Sequence, residues 1–114
     1  MIQISPQVKV WIWPESIDFR AGIDGISKLC REKFQKDPFC GSFFVFINRQ
    51  KTSIKCLVYD GQGYWLMQKR LSQGRFKHWP PQADSYDAKY VQVLLYNGNP
   101  EATHFQNEWR PLIE

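Results

Sequence analysis

The sequence predicts an α+β single domain: an antiparallel β-meander of about four to five strands with two helices. Three observations predict it. Short β-forming runs between Phe43 and Trp79 are separated by turn residues. Apolar residues between Phe19 and Gln35 recur at three- and four-residue steps. A second such pattern follows the proline pair Pro80-Pro81.

Val8 to Trp13 reads as a first strand, stopped by Pro14. From about Phe19 to Gln35, Ile23, Ile26, Leu29, Cys30 and Phe34 mark the inward face of a helix. Asp18 is its expected N-cap, and Asp37-Pro38 and Gly41 end it. Phe43 to Ile47 is a continuous apolar run, too short for a helix, and reads as a central strand. Asn48 to Ser53 is a polar loop and Ile54 to Tyr59 the next strand. Asp60-Gly61-Gln62-Gly63 is a tight turn. Tyr64 to Leu71 follows as a strand, Ser72-Gln73-Gly74 turns the chain, and Arg75 to Trp79 is expected as a short fourth strand of the meander. Pro80-Pro81 ends it. Gln82 to Asp87 is a polar connector. Ser85 or Asp87 caps a second helix to Tyr96, with Val91, Leu94 and Leu95 inward, Gly98 as C-terminal glycine and Pro100 beyond. The expected domain is 1–98, with a C-terminal tail over 99–114.

The chain has 114 residues, enough for one domain with its own core. Hydrophobic residues at 43% and charged residues at 23% exclude disordered, collagen-like and coiled-coil classes. No apolar run approaches the roughly 20 residues of a bilayer span. The first residues lack the apolar core of a signal peptide, so a cytoplasmic location is expected and no membrane partner. Cys30, Cys40 and Cys56 are odd in number and widely spaced, which predicts buried free thiols rather than disulfides or zinc.

The net charge of +4 conceals an asymmetry. Between Asn48 and Trp79 lie seven basic residues and one acid, Asp60, while the rest of the chain is slightly acidic. Such a block points to an anionic partner, with nucleic acid the usual one, or to an ordinary solvated sheet face. Arg and Lys neutralise phosphates and Trp stacks on bases. Arg75, Lys77 and Trp79 fall on one face of the expected last strand, Phe76 and His78 on the other.

Nothing in the pattern assembles a catalytic group. Asp18, Asp24 and Asp60 are the acids that a two-metal site would need, but a cap, an i,i+4 pair of Asp24 with Arg20, and a turn account for them. There is no phosphate-binding glycine motif and no nucleophile signature. No catalytic residue, metal or cofactor is expected.

Several segments together resemble the second-reading-frame accessory proteins (TnpB) of insertion sequence 66 elements. These are Asp18 to Gly25 after the first strand, Phe44-Val45-Phe46 with Asn48-Arg49, and Lys55 to Gly63. Lys69-Arg70-Leu71, Gly74-Arg75-Phe76 and Trp79-Pro80 complete the set. The resemblance spans about residues 8 to 98. Tyr59 stands where the family usually has tryptophan, and Ser72 where it often has an acid. The resemblance implies a transposition accessory factor encoded beside a larger catalytic transposase and another small protein, both expected as partners.

The expected function is therefore a non-catalytic accessory protein that binds DNA at element ends through a basic meander. Arg49, Lys55, Lys69, Arg70, Arg75 and Lys77 are the expected phosphate contacts, with Trp79 and Arg20 secondary. A protein-interaction adaptor for the transposase, using Phe105 and Trp109 of the tail, is the alternative. Pairing with a second copy stays open.

Overall fold

Phe43-Phe44-Val45-Phe46-Ile47 has no polar position, and four of its five residues are buried. Such a run belongs in a strand covered on both faces. The computed structural model, which describes residues 9–100, places it at the centre of a sheet. The strands are β1 (Val10–Ile12), β2 (Phe43–Ile47), β3 (Ser53–Tyr59), β4 (Tyr64–Arg70) and β5 (Asp84–Tyr86), in the order β4-β3-β2-β1-β5. The helices are α1 (Ile23–Leu29) and α2 (Ala88–Leu95). The class is α+β.

The sheet is mixed rather than purely antiparallel. β2, β3 and β4 form the expected meander, but β1 pairs parallel to β2, Trp11 opposite Phe44. A parallel neighbour needs a long crossover, and α1 supplies it. β5 pairs antiparallel to the free side of β1. It comes from the segment read as a polar connector, since three residues, one exposed and two half-buried, give no alternation to detect.

The pleat divides the core in two. Phe44, Phe46 and Leu57 pack with Ile17, Ile26 and Cys30 on the α1 side. Val45, Ile47, Ile54 and Cys56 pack with Val91, Leu94 and Phe76 on the α2 side.

The first helix starts later than its periodicity implies. Asp18 accepts from the Arg20 N–H and the Ala21 N–H bonds to Asp18 O, so Asp18 caps a turn and Gly22 is the helix N-cap. Past Leu29 the coil widens into a π-helical segment, Cys30–Phe34, in which Gln35 N–H reaches Cys30 O. There Phe34 lies 5.3 to 6.3 Å from the rings of Trp11, Trp13, Phe44 and Phe46. Pro38–Cys40 forms a 3₁₀ turn capped by Asp37. It leaves Cys40 exposed, whereas Cys30 and Cys56 are buried as expected of free thiols, and burial pushes both up to about 12.

Arg75 to Trp79 is not a strand. β4 and β5 are opposite edges of the sheet, so the chain between them must cross it rather than run along it. Its donors go to scattered partners: Phe76 N–H to Lys51 O, Lys77 N–H to Asn97 Oδ1, and the Trp79 indole to Trp13 O.

Asp87 caps α2 through Tyr90 N–H. At the other end Asn97, not Gly98, takes the left-handed conformation, with φ 63°. Gly98 N–H bonds to Val93 O and Asn97 N–H to Leu94 O, the paired bonds of a Schellman ending. Gly98 is needed for space, because a Cβ there would sit 2.7 Å from Val93 Cγ1.

Truncating Phe44, which is fully buried, is expected to cost about 3–5 kcal/mol. Removing the exposed cap with Asp87→Ala costs about 1 kcal/mol. Urea denaturation of the two variants checks both values and their order.

Candidate nucleic-acid interface

The cations expected to meet phosphate separate into two groups. Lys55, on the α1 face of β3, is buried. Its ammonium donates to Phe19 O at 2.8 Å and Ala21 O at 3.1 Å and lies 5.0 Å from the Phe19 ring. It ties down the turn before α1 and has no face left for a phosphate. Lys69, on the α2 face of β4, donates to Leu95 O at 2.6 Å and sits over the Tyr96 ring. It serves the last carbonyls of α2, where a cation complements the helix dipole. Partial burial lowers its pKa. Trp79 packs against Phe76 with its indole N–H on Trp13 O, so it is not a free stacking platform. These three side chains work inside the fold.

The other five, Arg20, Arg49, Arg70, Arg75 and Lys77, are exposed, and backbone hydrogen bonds bring their segments to one end of the sheet. Ile17 N–H donates to Ile47 O, placing the loop after β1 beside the end of β2. Leu71 N–H donates to Thr52 O and Phe76 N–H to Lys51 O, placing the segment after β4 beside the β2–β3 loop. Arg70 stands opposite Ser53 in the β3–β4 register. Asn97 links this end to α2, donating to Arg75 O and accepting from Lys77 N–H.

The β2–β3 loop is stiff. Asn48 Oδ1 accepts from both Thr52 and Ser53 N–H, and Asn48 Nδ2 donates to Thr52 Oγ1. Lys51 takes a left-handed φ of 61°. Arg49, Gln50 and Lys51 therefore project into solvent from a fixed frame. Lys51 belongs with the exposed cations although the sequence pattern did not single it out; its position on a loop, beyond any strand period, hid it.

A polar cleft of about 590 Å³ opens between residues 16–20 and 48–50. Arg20 grips Asp18 with Nε and Nη2, the shortest contact being 2.7 Å. Arg20 thus pairs with Asp18, not with Asp24 as the helical spacing suggests. Among the described residues no salt bridge holds Arg49, Lys51, Arg70, Arg75 or Lys77.

The acids weighed as metal ligands lie apart. Asp18 sits at the basic end, whereas Asp60 turns the β3–β4 hairpin at the other end of β3. There Asp60 accepts from Gln62, Gly63 and the Trp65 indole, bonds that lower its pKa. Phe105 and Trp109 of the expected adaptor surface lie outside the described residues.

The Arg20 hydrogen bonds hold the Asp18 carboxyl down at about 2, against an ordinary 3.8. A depressed carboxylate stabilises the fold in full above the unfolded value, and that contribution fades as pH falls through 3.8 toward 2. In Arg20→Ala the guanidinium bonds go but the N–H of residue 20 still donates to Asp18, so the Asp18 titration, followed by carboxyl NMR shifts, moves part of the way up toward 3.8 and this acid-range loss shrinks.

Comparison with known proteins agrees with the resemblance seen in the sequence. The profile of the family described as IS66 Orf2-like protein matches residues 8–99. The uncharacterized protein y4hO of Sinorhizobium fredii (strain NBRC 101917 / NGR234) is 31% identical over 112 residues, covering 97% of this chain and 96% of that protein. The uncharacterized protein y4jC of the same strain is 33% identical over 84 residues, covering 74% and 71%. No solved structure matches the chain. With a family profile spanning nearly the whole described fold, this chain belongs to the IS66 Orf2-like family of insertion-sequence-associated accessory proteins.

Proposed function

We propose that this protein is a non-catalytic factor in the transposition of its element, and that it binds the DNA backbone through the basic end of its sheet. The observation that carries this reading is the group of exposed cations on three adjoining loops and the end of β4, among which, within the described residues, only Arg20 forms a salt bridge. The Asn48 hydrogen bonds already hold the β2–β3 loop backbone, so little ordering of that loop is left to oppose binding. Arg49, Lys51, Arg70, Arg75 and Lys77 meet phosphates, and Arg20, oriented by Asp18, lines the adjoining cleft. Such contacts position a protein on a duplex without reading its sequence. DNA at the element ends and the partner transposase are the partners this role calls for.

Salt-titrated binding to an element-end duplex and to unrelated DNA tests the reading. Replacing Arg49, Arg70 and Arg75 by alanine should weaken binding to both and flatten the log–log salt dependence by about 0.9 for each lost phosphate contact. Lys55→Met should lower stability while leaving the slope alone. An unchanged slope in the folded triple variant sinks the proposal. Association with the transposase that survives nuclease treatment, in a chain that does not bind DNA, supports the adaptor role instead.

A further inference from the structure

The sheet has two unlike edges. β5 is three residues long, whereas β4 runs seven residues without proline and, among the described residues, nothing pairs with its outer side. A long open edge is a template for another strand.

The hydrogen bonds at the ends of the β3–β4 ladder fix which groups are open. Asp60 N–H bonds to Gly63 O and Leu71 N–H to Thr52 O. Bonded pairs alternate in an antiparallel ladder, so Trp65, Met67 and Lys69 turn their backbone groups toward β3. The N–H and C=O groups of Tyr64, Leu66, Gln68 and Arg70 point outward.

We propose that β4 pairs antiparallel with β4 of a second copy, about a two-fold axis through Met67, making one continuous sheet. In this register Tyr64 lies opposite the partner's Arg70 and Leu66 opposite the partner's Gln68. These are the residues with outward backbone groups, so all four N–H groups and all four carbonyls of each edge are satisfied. Trp65 comes opposite the partner's Lys69. The exposed Trp65 thus meets a cationic residue of the other copy, and no like charges face each other. The Lys69 ammonium stays on Leu95 O and its aliphatic stem packs along the partner's indole. That contact covers Trp65, which is 59% exposed in the single chain. The pairing uses each copy's edge once, so it closes as a dimer instead of growing into a fibre.

The register is tested by disulfide trapping with full-length chains carrying Cys40→Ser to remove the exposed thiol. Leu66→Cys and Gln68→Cys chains, mixed, should cross-link readily, because directly paired residues lie about 5.5 Å apart at Cα. Either chain alone should cross-link far less, since the introduced cysteines of its two copies are offset by two residues. Sedimentation equilibrium of the unmodified protein should give twice the 13.5 kDa chain mass. Gln68→Pro removes an outward N–H without touching the β3 ladder, and should return the mass to that of one chain with the circular dichroism unchanged. A single-chain mass at every concentration, or a mixture that cross-links no faster than its components, overturns the proposal; the disulfide arm decides it even if the proline variant does not fold.

Discussion

The two-sided burial of β2 is the constraint from which the architecture follows. Five consecutive apolar residues alternate across the pleat, so neither face of this strand can be left to water. Phe44 and Phe46 require a cover on one side, Val45 and Ile47 on the other. One helix in an αβ-meander cannot serve both. The chain meets the demand by sending α1 across one face on the way from β1 to β2, and by returning from the far edge to lay α2 over the other. The parallel β1–β2 pair is a by-product of that route.

The same economy explains where the charges go. A lysine has a long apolar stem, and two of the central lysines use it to reach backbone carbonyls: Lys55 at the turn before α1 and Lys69 at the end of α2. The arginines stay out. Arg49, Arg70 and Arg75 stand on loops or at a strand end, where the sheet stops and, among the described residues, they stay exposed. Basic residues counted together in the sequence are thus sorted by position, some holding helix ends and others left facing solvent at one pole.

Much of this was legible beforehand. The central strand, the hairpin about Asp60-Gly61-Gln62-Gly63 and the second helix with its Asp87 cap show local signals strong enough to survive folding. What escaped was decided by distant parts of the chain. The parallel pairing of β1 depends on the crossover; the loss of the strand at Arg75 to Trp79 depends on which edges β4 and β5 occupy. The inward turn of Lys55 follows from register with Phe46 and from carbonyls more than thirty residues away. For the basic surface, the composition of the block was readable, but its division between inner and outer faces was not, because the period-two pattern of Lys69 and Arg70 is the same whichever face is covered.

The position of β1 has a consequence for biogenesis. It is made early yet sits between β2 and β5, segments from the middle and the end of the domain. The meander closes through short turns, whereas seating β1 requires long loops to close, at a greater entropic cost. The run Phe43 to Ile47 is apolar on both faces, so in a growing chain it is open to contact with other chains until β1 and both helices cover it.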